Sequence, residues 1–576
     1  MAKTLKRLNP YGRDPHAAWG APLIALVLLL LFRSVSAPAQ GLPVTAASTR
    51  SDWLTWGYDE DRSLWNRAEK VLNKDNVGGL ALKWKTQIPT PASMVVLQTL
   101  TTPLVATVNL PEGPASRVFV VGSDNTVYAI DAETGAISWQ RKFPHDAKPK
   151  DLNTGKEIVP DYRCPGTQNA TPVIDKDDGI IYVSTSDGKL RGLSIVTGED
   201  RMTAIDFTHP FARNWSLNLI DGVVYSPTAR GCFGIPSHLT SINLKEPRLE
   251  KREFFTSPGG PSGAWGRGGI VRGPKYIYVQ TADGPYDPAA GKFGNSVLAF
   301  TPKDLRLVDS YTPENWEYLN AKDLDLSSAN AVAFAFQRKT IVASVGKESV
   351  VSLLDGDNLG GSRHQTPLYA SPRLGNDEAM LHDRGVWGAI ATWEEGGRRY
   401  LALSMLGPVG KNAPPFKYSY GKADDGSVMA FEVRQDPGTG KPMLDPLWVS
   451  REMHAPDVPV VANGVVYAFQ SGKDSTETRA AGLPNRVGGG GQPEASPGRA
   501  STTGQGAAAG GQGRGITPRV LGTNAILYAF DAATGKELFR SELDSFNHFT
   551  NPVVADGKVY AITWDGKLYA FAPRQR

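Results

Sequence analysis

The sequence predicts an all-β protein, an eight-bladed β-propeller of four-stranded antiparallel blades closed by an N-terminal strand. Three observations point there. A stretch of alternating apolar residues followed by a tight turn recurs along the chain. Its copies are spaced as blades would be. The chain ends three strands into a copy, and near its start stands what reads as the missing fourth.

The repeat is clearest in Gly122-Ser-Asp-Asn-Thr-Val-Tyr-Ala-Ile-Asp-Ala-Glu-Thr-Gly-Ala-Ile-Ser-Trp139 and returns as Leu527-Tyr-Ala-Phe-Asp-Ala-Ala-Thr-Gly-Lys-Glu-Leu-Phe539. Val127, Ala129 and Asp131 alternate with Tyr128 and Ile130, the period of a strand. Asp131 offers its carboxylate to the N–H groups of a turn, Gly135 supplies a positive φ, and a second short strand ends in Trp139. One such hairpin cannot bury its apolar face alone, so copies must stack.

Taken in order, the complete units are Thr102–Phe143, Thr171–Ile205, Ser216–Phe255, Gly268–Tyr311, Ala329–Tyr369, Val386–Val449 and Asp457–Arg540. The last unit, Asn551–Phe571, stops after three strands, and Leu80–Thr86, whose Leu80, Leu82 and Trp84 alternate with polar residues, can supply the fourth. A ring closed in this way has no open sheet edge. Residues 471–518 form a low-complexity insertion rich in Gly, Ala, Ser and Gln, read as a disordered loop between the second and third strands of the seventh blade.

Residues 1–39 read as an export signal. Lys3, Lys6, Arg7 and Arg13 precede an apolar run from Ala17 to Phe32, and Ala37-Pro38-Ala39 is a small-x-small cleavage pattern. The expected location is the periplasm or outside the cell, and the alternative is an uncleaved N-terminal membrane anchor. Residues 40–576 are then a single propeller domain. The formal charge of +4 resides in the signal, and the remainder is neutral. No nucleic-acid partner is expected. There are two cysteines, Cys164 and Cys232, and no Cys-x-x-Cys-His, so no covalently attached haem is expected.

The Tyr-Ala-x-Asp-Ala-x-Thr-Gly-x-x-x-Trp repeat resembles the blade motif of the pyrroloquinoline-quinone (PQQ) dehydrogenase-like propellers, whose tryptophans dock neighbouring blades. The stretches Asp52–Asn66 and Asn76–Trp84 are similar to the start of the mature quinoprotein alcohol dehydrogenases, and Asp355–Gly361 looks like a family turn. The resemblance implies a flat quinone, a calcium ion and a catalytic aspartate. All would lie on the face carrying the loops that enter each first strand and those that join second to third strands. It implies oxidation of an alcohol or sugar hydroxyl, with electrons passed to a separate acceptor. A rival from another class is a non-catalytic binding scaffold with an envelope protein partner, similar to the outer-membrane assembly propellers built from the same repeat.

Residue by residue, the resemblance assigns Trp265 as the aromatic floor of the quinone, the alternative being an inter-blade packing tryptophan. Lys347 falls where the family has a cation facing the quinone, against a solvated loop lysine. Arg267 and Arg230 offer planar forks for the same task, or lie at the surface. Asp325 is the first choice for the base and Asp323 the second; together they could instead cap a turn. Asp283 stands in the fourth blade where the family has a ligand asparagine, so Asp283 and Asp325 are the expected metal ligands. The family's ligand glutamate is missing from Ala229–Pro236, where Cys232 stands near its place. Trp387 joins the expected cofactor residues. Asn169, Trp215, His209, His454, Asn547 and His548 also fall in or near such loops. Cys164 and Cys232 fall in loops on the same face of neighbouring blades and are expected to form one disulfide, the alternative being two buried thiols.

Overall fold

The computed structural model describes residues 51–91, 99–144, 148–158, 164, 166–167, 170–229, 231–258, 260–377, 384–472, 523–547 and 549–574. The signal reading and nearly all of the 471–518 insertion lie outside these residues. Eight antiparallel sheets form the ring. Blade 1 runs Leu104–Leu110, Gly113–Val121, Thr126–Asp131 and Ile137–Lys142. Blades 2 to 5 begin at Val173, Asn218, Val271 and Val332, and end at Asp206, Phe255, Tyr311 and Ala370. Blade 6 carries Ala391–Glu395, Arg398–Leu406, Gly426–Gln435 and Pro442–Val449. Blade 7 runs from Val460–Ala462 to Glu537–Glu542, and its second and third strands pair Val465–Gln470 with Ile526–Asp531. In blade 8, Val553–Ala555, Lys558–Ile562 and Lys567–Pro573 are completed by Leu80–Gln87 paired with the last of them.

The repeat motif makes the joint between blades. Asp131 Oδ1 accepts from the N–H groups of Glu133 and Thr134 and from the Thr134 hydroxyl, at 2.8–3.0 Å, and closes the turn. Gly135 then sits at φ +76°, where a Cβ would lie 2.7 Å from the ring of Trp84 in blade 8. Trp84 Nε1 donates to Ala132 O at 3.0 Å. The joint recurs at Trp139 against Gly198 and Ile195 O, and at Trp448 against Gly535 and Ala532 O. A side chain other than hydrogen would push each tryptophan off its neighbour.

The axis of the ring is filled by the segment 51–69. Trp53 exchanges two backbone hydrogen bonds with Val105 of blade 1, and Leu54 O accepts from Ile174 of blade 2. Glu60 O accepts from Asn218 of blade 3 and from the N–H of Arg272 in blade 4. Ser63 O and Leu64 O accept from Thr392 of blade 6 and Val461 of blade 7. Trp65–Asn66 adds a parallel strand to blade 7, and Asn66 Nδ2 donates to Val554 O of blade 8. Arg62 is buried at the centre. It donates to Ile270 O, Leu217 O, Trp56 O and Thr55 Oγ1. Burial drags its pKa down to about 9, partly offset by Asp59, Glu60 and Asp61, so it remains charged near neutrality.

The joint predicts a graded glycine series. Gly179 has φ +66° with nothing within 4 Å of a built Cβ, whereas Gly135 faces Trp84. Gly179→Ala is expected to cost the backbone penalty alone, about 1 kcal/mol. Gly135→Ala should cost about 2–4 kcal/mol, since the Trp84 joint opens as well. Denaturant midpoints at unchanged slope check the difference.

Candidate functional site

On the face named above, the loops of blades 4, 5, 6 and 8 bring one group of side chains together. Asp325 is buried. Its Oδ2 lies 2.5 Å from Lys347 Nζ, and its Oδ1 accepts from the N–H of Asp283 at 3.1 Å. Its side chain makes no capping bond to the turn that follows, whereas Asp323 closes the helix Trp316–Lys322 through its backbone N–H. Lys347 is 2% exposed and is not a solvated loop lysine. Its ammonium also meets Asp323 Oδ1 at 3.3 Å, and it lies 5.4 Å and 5.2 Å from the ring centres of Trp265 and Trp387.

Close backbone packing holds the lysine there. Lys347 N–H donates to Asp325 O at 3.1 Å, and its own carbonyl accepts from Asn376 Nδ2 at 2.6 Å. A Cβ at Gly346 would meet Asp325 O at 2.5 Å, and one at Gly385 would meet Lys347 O at 2.1 Å. Asn295 spans the acidic residues. Its amide donates to Asp283 Oδ1 at 3.0 Å and to Asn320 Oδ1 at 2.8 Å, and its oxygen accepts from Leu326 N–H at 2.8 Å.

Asp283, Asp323 and Asp325 each place a carboxylate oxygen within 4.8 Å of the others. Burial, then the charges of Asp325 and Asp323, pushes the Asp283 carboxyl well above the usual range. Burial acts on Asp325 too, but Lys347 and the hydrogen bonds it receives outweigh that and hold it below the usual range. Lys347 is raised because its three carboxylate neighbours outweigh burial. Three acids against one ammonium leave room for a further positive charge, and carboxylate oxygens suit a hard cation. The expected pair Asp283 and Asp325 is therefore joined by Asp323. Cys232 cannot serve as a ligand thiolate, because it is bonded to Cys164 (S–S 2.17 Å, Cα–Cα 5.4 Å), so the two-thiol alternative is set aside.

Aromatic rings wall the acidic group. Trp387 stacks on Phe549 at 5.6 Å and 26°, and meets Trp265 edge-on at 5.4 Å. Arg267 is buried rather than at the surface. Its guanidinium lies 4.3 Å from the Trp215 ring centre and 3.8 Å from that of Phe549, and donates to Phe549 O at 2.6 Å. Burial pulls Arg267 well below its usual pKa and pushes Asp457 up, each partly offset by the other's charge. Below them the axial segment supports the floor. Trp56 packs against Gly268, where a Cβ would lie 2.5 Å from its ring.

Other sequence candidates stand apart. His454 pairs with Asp425 at 2.8 Å, and Asn547 donates to Ile562 O. Asn169, Arg230 and His548 lie outside the described residues. Asn295, Asn320, Asp457 and Phe549 were not anticipated. The one sequence cue for them was the neighbouring Asn547-His548 pair in the loop entering blade 8.

Comparisons with known proteins agree with this architecture. A family model described as outer membrane protein assembly factor BamB matches residues 81–205 and 462–575, the most regular repeats, and does not reach the loops of blades 4 to 6. The chain is 23% identical over 252 residues to the quinohemoprotein alcohol dehydrogenase ADH-IIG of Pseudomonas putida, covering 41% of this chain and 31% of that protein. It is 20% identical over 393 residues to the 1-butanol dehydrogenase (cytochrome c) of Thauera butanivorans, covering 60% of this chain and 52% of that one. The chain thus spans about a third to a half of these curated relatives. Among solved structures, the quinohemoprotein alcohol dehydrogenase of Comamonas testosteroni superposes with a TM-score of 0.53 at 15% identity, over 92% of this chain and 82% of that chain. A europium-containing methanol dehydrogenase gives 0.52 at 13%, over 91% and 98%. The chain shares the β-propeller fold of these dehydrogenase structures.

The crowding of carboxylates sets a pH-dependent expectation. A carboxyl whose folded pKa is raised costs stability as pH climbs from its unfolded value, about 4, toward the folded one. Asp283→Asn should therefore stabilise the metal-free protein at pH 7. The gain should vanish below about pH 4, where the aspartate is protonated in both states. Thermal unfolding in chelator at pH 7 and pH 3.5 checks both arms.

Proposed function

We propose that the protein is a PQQ-dependent oxidoreductase that oxidises an alcohol or sugar hydroxyl and passes electrons to a separate carrier. The carrying observation is the buried Lys347–Asp325 pair, its ammonium beside the touching rings of Trp265 and Trp387 and next to two further carboxylates. The residues present fit the cofactor. Trp265 offers an indole face for a flat ring. Lys347 offers a fixed positive charge to quinone oxygens. Asp283, Asp323 and Asp325 would hold calcium, even though the family's glutamate is missing.

When bound, the quinone would supply the two-electron acceptor for the carbinol hydride. The chain's own residues would prepare the alcohol for that transfer. Asp325, held ionised by Lys347, accepts the hydroxyl proton. Lys347 opposes the negative charge that gathers on the acidic group and keeps Asp325 from taking up a proton prematurely. Trp387 and Phe549 narrow the approach and exclude water, which strengthens each of these charges. The leader reading supports export to the periplasm, where a separate electron carrier would collect the electrons.

Titrating the purified chain with PQQ, with and without calcium, tests the proposal. Tryptophan quenching reads binding, and a dye-linked panel of alcohols and sugars reads turnover. Trp265→Ala is expected to weaken PQQ binding about 10-fold or more, as loss of a stacking face does. Asp325→Asn should lower kcat by about 10²–10⁴. Lys347→Met should raise the pKa of Asp325 and move the acid limb of the kcat/KM profile to higher pH. No saturable PQQ binding with calcium present would overturn the reading and turn attention to a binding scaffold.

A further inference from the structure

A second group of ligand-type side chains lies away from the acidic site, on the rim shared by blades 2 and 3. His209 follows the last strand of blade 2, Ile205–Asp206. His238 opens the third strand of blade 3, His238–Asn243, and Glu253 sits opposite on its fourth, where Thr240 pairs with Glu253. The three place one ligand atom each within 4.8 Å of one another.

We infer that His209, His238 and Glu253 form a binding site for a borderline divalent metal ion, Zn²⁺ above all, that clamps the loop leaving blade 2 to the outer strands of blade 3. The chemistry of His238 points the same way. Its side chain is fully buried, and Nδ1 lies 2.6 Å from the carbonyl of Pro236. That carbonyl accepts only a proton-bearing Nδ1, so the lone pair is left on Nε2. A backbone partner on the far nitrogen is the usual means of orienting a metal-ligating histidine. Nε2 has only a long hydrogen bond, to Thr228 Oγ1 at 3.5 Å, with Glu253 Oε1 beyond it at 3.8 Å. The His209 ring stands perpendicular to His238 with ring centres 5.5 Å apart.

Two neutral imidazoles and one carboxylate are a zinc-type donor set that leaves a fourth position for water. Bonds of about 2.0–2.1 Å place tetrahedral ligand atoms about 3.3 Å apart. The His238–Glu253 separation of 3.8 Å is already close to that, and His209 lies in a loop that can close the remainder. One group competes. Lys251 Nζ lies 2.7 Å from Glu253 Oε1 and occupies the carboxylate as the metal would. The Cys164–Cys232 disulfide ties neighbouring loops of the same two blades. The metal would add a second tie nearby, one that is removable.

The oxidised chain, stripped with chelator, is titrated with Zn²⁺ by calorimetry in excess Ca²⁺, which occupies the hard carboxylate site and not the imidazoles. The expected result is one Zn²⁺ per chain. His209→Ala should weaken it at least 50-fold and Glu253→Gln about 10-fold. Lys251→Gln should tighten it several-fold, because the competing ammonium is gone. His209 and Lys251 are both partly exposed, and both variants are expected to fold. Co²⁺ in place of Zn²⁺ should give the intense visible bands of four-coordination, absent in His209→Ala. Absence of stoichiometric Zn²⁺ binding, or affinity unchanged in both His209→Ala and Lys251→Gln, overturns the site. PQQ binding and turnover play no part in this readout, so the metal clamp and the proposed oxidoreductase stand or fall separately.

Discussion

The guanidinium of Arg62 holds together what the ring alone would leave open. Eight blades around an axis turn eight inner strands toward a central channel, each with backbone donors and acceptors that need partners. The segment 51–69 supplies them, and Arg62 gathers the carbonyls of Leu217, Ile270 and Trp56 at its centre. The functional face rests on this filling. Trp56 presses on Gly268 from below, and Gly268 lies between Arg267 and the first strand of blade 4. Without the axial segment, the loop bearing Trp265 and Arg267 would lose its floor.

The candidate site is a problem in charge density. Three carboxylates converge where burial alone would disfavour even one, and a single lysine answers them. The surrounding backbone is closely packed: Gly346 and Gly385 lie against the chain at Asp325 and Lys347, and Asn295 bonds to both Asp283 and the chain before blade 5. Such stored repulsion is the usual mark of a place built to receive something of opposite charge. The aromatic wall serves the same end, since it lowers the dielectric in which those charges act.

Much of the fold was legible because its joint is written locally. Asp131, Thr134, Gly135 and a tryptophan one blade away each have one stereochemical task; the four recur in blade 7 as Asp531, Thr534, Gly535 and Trp448, and in blade 2 Ser194 takes the aspartate's place. The site was legible only where residue type and loop position both spoke, as for Trp265, Lys347 and Asp325. Arg267 read as a surface residue because its flanking glycines and isolated charge give no sign of the two rings that enclose it, one of them on Phe549 in another blade. Asn295 and Asn320 are amides in loops, whose partners lie far off in sequence and obey no periodicity. His209, His238 and Glu253 share no spacing at all: strand register brings the last two together, and the loop leaving blade 2 brings His209 to them.

The seam in blade 8 has a consequence for how such a chain is made and how it can change. Leu80–Gln87 and Lys567–Pro573 pair across nearly the whole length of the polypeptide. The contact order of that pairing is close to the maximum the chain allows, so closure must come late, after the intervening blades exist to shorten the gap. Until then the last sheet lacks its outer strand, and the axial segment lacks its partners in blades 7 and 8. An open solenoid can gain or lose a repeat at its end and remain folded. A ring pinned from inside cannot, because a changed blade number would alter the channel that residues 51–69 are cut to fill. Novelty in such a scaffold must enter between its paired strands, and Gln470 and Ile526, partners in one ladder, stand 56 positions apart in the sequence.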